Sequence, residues 1–438
     1  MNEKKIDKWI RVFLILLLLI CGLCALFLPH LIYSIVVNTA LVFSIFNGIR
    51  LVFKGIRRHS MRHFLFAVLA FAFASVLMFS SVVPEWVIRV SFGMYCLVMG
   101  AAMLIQQGIY IYENVKRPFM NWVFSGAYMM IAFLLLFTPR ITTELLIRLF
   151  GCYFILLSIR YFSDMRELTN PNYTWKRAFH ISLPTALAAL IPDWTLQRIN
   201  SHFREGIDVE TFPVKNDEEP QVRAMVHIGP DGFQKVGHFS FAYKNIVYSY
   251  GNYDHDSDRL GGLLGDGVYF NVPLSLYLPN IIRYEHNTIF EYGIRITKEQ
   301  EEQLEALLAN LHNSSYRWYT RIEREDGYGR FHEYEEDYGC RLHYRTGAKF
   351  YKIKKGRFRT YWVMGENCVM FADLMLGLIG ADILSIRGIV TPGTYFDYLQ
   401  QEYEKENSPV VSCTIHPYRP LDLSSQPEQH EKPDQSDH

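Results

Sequence analysis

The sequence predicts a multi-pass α-helical membrane bundle followed by an α+β domain. Two observations carry this: a partition of charge along the chain, and a series of apolar segments that gives way to alternating strand and helix signals. Half of the 438 residues are hydrophobic, a fifth are charged, and 44 basic residues balance 44 acidic ones. That even balance hides the partition. Residues 9–162 hold few acids, whereas 200–345 are rich in Asp, Glu, Arg and Tyr. A net charge of zero gives no electrostatic footprint for a nucleic-acid partner.

Six apolar segments, 9–28, 31–53, 64–82, 86–106, 119–137 and 141–161, each approach the roughly 20 residues needed to cross a hydrocarbon core, which makes the lipid bilayer the expected partner. The first is too long for a cleavable signal and no small-residue cleavage site precedes the second, so it is expected to remain as an anchor. Pro29, Pro84 and Pro139 recur at a spacing of 55 residues, each in a short turn, and Ile49-Arg50 returns one double period later as Ile159-Arg160. This periodicity predicts three tandem helical hairpins. The proline turns hold almost no Lys or Arg, whereas the opposite side carries Lys4, Lys5, Lys8, Arg57, Arg58, Arg62, Lys116, Arg117, Arg166, Lys176 and Arg177. By the positive-inside rule both termini are cytoplasmic. Glu144 and Arg148, one turn apart, read as a pair that snorkels near a helix end, and Cys21-Gly22-Leu23-Cys24 lies in an apolar helix without the strand-helix context of a redox motif.

Three hairpins with a proline in each outer turn, and an arginine near the inner end of an even-numbered helix, resemble the HdeD-like acid-resistance membrane family. The resemblance covers residues 9–165 and implies a bacterial inner-membrane protein linked to stress, with no chemistry attached.

The expected boundaries are 1–168 for the transmembrane domain, 169–199 for a linker, 200–420 for a cytoplasmic domain and 421–438 for a disordered polar tail. Thr169-Asn170-Pro171-Asn172 breaks the last helix, and the apolar run 178–191, interrupted by Pro184, is too short to span and is expected at the membrane interface. In the domain, 222–228, 236–243, 245–250 and 290–296 are rich in β-branched and aromatic residues and read as strands, with Lys244-Asn245 as a tight turn. Thr297 and Gln300 form a capping box ahead of a helix with Leu304, Leu307, Leu308 and Leu311 on one face. Another helix is opened by Cys368 and continues through the apolar stretch 369–379; a third follows Thr391 with Pro392 at its first position.

Cys368 is the candidate nucleophile. A cysteine at a helix start sits in the positive end of the dipole, which favours thiolate, and a histidine on a strand can complete the pair. His238, in Val236-Gly237-His238-Phe239-Ser240, is that histidine, and Gly237 admits close backbone approach. The order of the two, with the motif through Val247-Tyr248-Ser249-Tyr250-Gly251-Asn252, the stretch Ile294 to Gln300 and Glu366-Asn367-Cys368, resembles the circularly permuted papain-like thiol hydrolases. These include the NlpC-type peptidases, the lecithin:retinol acyltransferase-like proteins and the Lnb-type branch. The resemblance covers residues 220–400 and implies a permuted papain-like fold with Cys368 as nucleophile and His238 as general base. The matching third position, which would orient the imidazole, is Tyr250, where His, Asn or Gln is more usual; Asn252 is the alternative. The N–H of Cys368 is a natural oxyanion donor, with Asn367 beside it.

Other features carry less. The acids of 254–258 match no familiar metal-ligand spacing, and Gly261, Gly262, Gly265 and Gly267 lack the strand-to-helix frame of a nucleotide loop, so neither metal nor cofactor is expected. The charged, tyrosine-rich stretch 321–345 reads as a surface hairpin or a lid. Seven scattered cysteines give no disulfide framework. The expectation is a membrane-tethered thiol hydrolase or acyltransferase acting through a thioester on a membrane-proximal peptide or lipid substrate. The competing class is a non-catalytic membrane stress or scaffold protein whose domain binds a ligand.

Overall fold

Six helices open the chain in the computed structural model, which describes residues 3–58, 60–80, 82–116, 119–138, 142–169, 219–229, 237–377, 392–405 and 408–418. They are α1 (Glu3–Phe27), α2 (Pro29–Arg58), α3 (Met61–Phe79), α4 (Val82–Tyr112), α5 (Phe119–Phe137) and α6 (Thr143–Thr169). Four of them, α2 to α5, are long and apolar enough to cross a membrane, and α1 has a shorter apolar stretch, Val12–Phe27. In α6, Arg148 and Arg160 bracket the apolar run. Large apolar side chains such as Phe43, Phe46, Phe53, Leu65 and Phe133 face outward. Such a surface suits lipid, because a helix satisfies its own backbone and needs no water.

The chain divides into two units, one of Met1–Ile105 with Pro118–Tyr173 and the other of Gln106–Arg117 with Thr174–His438. Within the first, small residues set the helix contacts. Gly22 of α1 and Gly151 of α6 abut so closely that a Cβ on Gly151 would lie 2.7 Å from the Gly22 carbonyl oxygen. Ser158 Oγ of α6 donates to the Ile15 carbonyl at 2.9 Å. Gly48 and Gly55 of α2 receive the rings of Phe71 and Phe64 of α3, while Gly93 and Gly100 of α4 receive Leu136 and Met129 of α5. Without a water-driven hydrophobic effect, close backbone approach at small residues is what holds such helices. Each of these pairings joins helices from two different expected hairpins. Pro29 and Pro84 fall in the first turns of α2 and α4, while Pro139, the linker run 178–191 and the tail 421–438 lie outside the described residues.

The second unit is built on an antiparallel sheet. Its strands are β1 (Val222–Ile228), β2 (His238–Tyr243), β3 (Ile246–Gly251), β5 (Val268–Pro273), β6 (Thr288–Ile294), β7 (Ser315–Trp318), β8 (Lys349–Ile353) and β10 (Val410–His416), in the order β10-β6-β1-β2-β3-β5-β8-β7. A separate ribbon pairs β4 (Leu264–Asp266) with β9 (Thr360–Trp362). Lys244 and Asn245 both take positive φ, +47° and +61°, as a two-residue hairpin turn with the right twist requires, and so join β2 to β3.

Both faces of the sheet are covered. On one face lie α8 (Lys298–Asn313), α11 (Cys368–Leu376) and α12 (Pro392–Glu404), whose Leu304, Phe371, Met375, Tyr395 and Leu399 pack with Phe239, Phe241, Tyr250 and Tyr292. The capping box of α8 forms, with the Thr297 side chain accepting from the Gln300 N–H and the Gln300 side chain accepting from the Thr297 N–H. On the other face, α7 (Leu274–Arg283) and α10 (Tyr338–Thr346) set Tyr277, Ile281 and Leu342 against Met225, Ala242, Val247 and Phe270. Stretch 321–345 is helical rather than a hairpin: α9 (Arg321–Arg324), a 3-10 segment over Gly327–Tyr334 and α10 enclose a small core of Ile322, Tyr334 and Cys340. Its apolar residues are spaced for short helices and Tyr334 packs inward, which the charge density of the sequence conceals.

Candidate functional site

Cys368 is the first residue of α11 and is only 6% exposed. Asn367 is the N-cap: its Oδ1 accepts from the Met370 N–H at 3.0 Å and its Nδ2 donates to the Val363 carbonyl at 3.0 Å. The backbone N–H groups of Phe239, Val369 and Cys368 itself act on the thiol in the direction that favours its ionised form. The first of these lies at a gap in the sheet. Tyr243 and Ile246 flank the two-residue turn, so hydrogen-bonded pairs alternate back from it through Phe241 with Tyr248, and Phe239 with Tyr250 would be next. The register between β2 and β3 ends one step earlier, at Ser240 with Ser249. The ladder thus stops short of Phe239, which shares a core cluster with Cys368.

Three N–H groups favour a thiolate, yet burial outweighs them and pushes the Cys368 thiol up to about 11. Burial thus offsets the dipole's preference for a thiolate at this position. His238, the residue before Phe239, is driven the other way, down to about 4, by burial alone. At neutral pH the site holds a neutral thiol and a neutral imidazole.

The His238 imidazole lies among polar groups of β3 and the segment after it. Its Nε2 is 2.6 Å from Ser249 Oγ and 3.4 Å from Tyr253 Oη, and those two oxygens are 3.0 Å apart. Beside it, His227 of β1 is paired directly with His238 across the sheet; its ring centroid is 5.6 Å away and its Nε2 is 2.7 Å from Ser240 Oγ. Burial and the neighbouring His238 hold His227 well below the usual histidine range. Gly237 precedes His238 at φ +90°, and a Cβ there would lie 3.0 Å from both the His227 carbonyl oxygen and Pro392. Close approach at Gly237 is thus required, as expected.

Tyr250 occupies a different place from the one the motif suggests. It points to the face that holds α11, stacks on Phe371 with ring centroids 4.9 Å apart, and donates its hydroxyl to the Phe358 carbonyl at 3.0 Å. Asn252 donates through Nδ2 to Asp258 and to the Gly262 carbonyl. The hydroxyls on the imidazole belong instead to Ser249 and Tyr253. Ser249 precedes Tyr250 by one residue, and one residue in a strand reverses the face.

A second polar cluster stands just before the cysteine. Glu366, 1% exposed, accepts from Arg357 Nε at 2.9 and 3.0 Å and from Tyr110 Oη at 2.5 Å, and its N–H donates to Gln106 Oε1 at 3.3 Å. The Thr360 hydroxyl donates to Glu113. Residues 106–117 belong to the same unit as the sheet, and their part in this cluster was invisible in the sequence. Among the described residues no group of His, Cys, Asp and Glu is arranged to hold a metal. Asp254 instead pairs with Lys352 and caps the short 3-10 turn His255–Ser257. Comparison with protein-family models, with curated proteins and with solved structures finds no match.

Proposed function

We propose that the protein is a membrane-tethered thiol hydrolase or acyltransferase, with Cys368 as nucleophile and His238 as general base. The observations that support the reading are a helix-starting thiol that shares a core cluster with Phe239, the residue after His238, and the two hydroxyls that hold the His238 imidazole. With His238 Nε2–H donating to Ser249 Oγ, the basic lone pair lies on Nδ1.

In this reading the thiol proton moves to the imidazole as the sulfur attacks an ester or amide carbonyl. A C–S bond forms, the carbonyl electrons move to oxygen, and backbone N–H groups at the start of α11 stabilise that oxyanion. Collapse expels the alcohol or amine, which takes the proton back from His238 and leaves a thioester. Water, or a second alcohol or amine, then displaces the thiol. Because the resting pair is neutral, the proton moves during attack and not before it. The permuted papain-like and HdeD-like resemblances, six spans in three hairpins, a bacterial inner membrane and cytoplasmic termini belong to the same proposal. The apolar helices support a lipid-facing enzyme, and the substrate is accordingly a membrane-proximal peptide or lipid.

The pH dependence of Cys368 alkylation by iodoacetamide, read by mass spectrometry on the full chain in detergent, tests this. General-base assistance gives a rate that climbs as His238 loses its proton near pH 4, holds level through neutrality, and climbs again toward pH 11 as free thiolate forms. His238→Ala removes the level region and leaves the alkaline limb. A native chain with the alkaline limb alone would replace the enzyme by the ligand-binding scaffold.

A further inference from the structure

Glu366 is costly where it stands, because a buried carboxylate must be paired and fully hydrogen-bonded to be tolerated. Arg357 supplies the charge partner, but two of its remaining bonds come from residues about 260 positions earlier in the chain, the Tyr110 hydroxyl on its carboxylate and the Gln106 carbonyl oxygen on its N–H. The turn that carries Glu366 is tied at each step. Gly365 N–H donates to the Trp362 carbonyl at 2.9 Å, Trp362 N–H to the Glu366 carbonyl at 3.1 Å, and Asn367 N–H to the Gly365 carbonyl at 2.9 Å. A displacement of Glu366 is therefore passed to Asn367, the cap of α11, and through it to Cys368. Gly365 is shaped for the docked segment: a Cβ there would fall 1.8 Å from Gln106 Oε1 and 2.6 Å from Trp362 Cδ1. The bond from Thr360 to Glu113 fastens the same segment to β9.

We infer that Glu366 is a positioning residue for Cys368, set by Gln106 and Tyr110, so that the thiol site is complete only when residues 106–113 are docked on the turn 362–367. The inference rests on the thiol-site reading above, and its test separates the two. Tyr110→Phe removes one donor from Glu366 without adding bulk, whereas Gly365→Ala drives Gln106 off the turn; neither touches Cys368, His238, Ser249 or Tyr253. In the full chain, each change lowers the level region of the Cys368 alkylation profile about tenfold, the value of one hydrogen bond to a charged group. The alkaline limb stays, and Cys340 and Cys413 remain as slow as in the native chain, which loss of the fold would not allow. If Gly365→Ala exposes Cys340, Tyr110→Phe decides alone. A level region that is present in the native chain and unchanged in Tyr110→Phe overturns the inference while leaving the thiol site standing. A native chain without a level region overturns both.

Discussion

Replacing Ser249 by Ala and, separately, Tyr250 by Phe asks which strand residue holds the imidazole. Ser249 Oγ is 2.6 Å from His238 Nε2, and the ring gains a positive charge when it takes the thiol proton. A hydrogen bond to a neutral group is worth about 1 kcal/mol and one to a charged group about 1.5–3 kcal/mol, so Ser249 favours the imidazolium state by roughly 1–2 kcal/mol. Ser249→Ala should accordingly lower the level, His238-dependent alkylation rate of Cys368 by about 5- to 30-fold, with the alkaline limb unmoved. Tyr253, 3.4 Å from the same nitrogen, keeps the loss at the lower end of that range. Tyr250→Phe withdraws a hydroxyl from the buried Phe358 carbonyl and should cost about 1–3 kcal/mol of stability, with the alkylation rate of the folded protein changed less than twofold. The assay is alkylation from pH 5 to 10 alongside thermal unfolding in detergent. Equal rate losses in the two variants, or a loss only in Tyr250→Phe, would refute the assignment of Ser249.

Further outcomes follow from other sites. Glu113 is held up to about 7, chiefly by burial, against the favourable Thr360 hydroxyl and Arg359 and with the adverse charge of Glu366. A raised folded value contributes stability that is complete below the ordinary carboxylate range near 4.5 and is lost as pH rises through about 7. Unfolding followed from pH 4 to 8 should therefore show stability falling by on the order of 2 kcal/mol, and Glu113→Gln should flatten that dependence. Gly237→Ala, at φ +90° with two contacts at 3.0 Å, should cost about 1–3 kcal/mol in the same assay. Gly151→Val should separate α1 from α6 and lower the detergent melting temperature by several degrees, whereas Gly126→Ala, where a Cβ meets nothing within 4 Å, should not. A single cysteine introduced beyond Leu421 should resist an impermeant reagent in intact cells; labelling there would reverse the proposed orientation.

Local signals were legible in the sequence wherever one segment decides its own structure. Strand β1 begins and ends where its β-branched run does, Lys244-Asn245 makes the turn, and Thr297 and Gln300 make the capping box. The helix start at Cys368 and the close backbone approach at Gly237 are likewise local. What escaped depends on register. His227 and Ser249 reach His238 only through the cross-strand pairs of β1, β2 and β3, and Tyr250, one residue on from Ser249, turns to the other face. Gln106 and Tyr110 lay beyond reach altogether, since nothing in an apolar helix announces which distant turn it will meet. Stretch 321–345 was misread because its charges outnumber the few residues, Ile322, Tyr334 and Cys340, that fold it inward.

Helix α4 is longer than a membrane needs. It runs 31 residues from Val82 to Tyr112, whereas about 20 suffice to cross a hydrocarbon core. The surplus includes Gln106 and Tyr110, which stand four apart and so share one side of the helix. An atom at the periphery of a helix lies about 5–6 Å from its axis, so a twist of only about 20° sweeps it through roughly 2 Å. The 2.5 Å bond from Tyr110 to Glu366 survives only within a narrow arc of that twist. Rotation of residues 106–112 about the helix axis by that amount is thus enough to break the hydrogen bond from Tyr110 to Glu366.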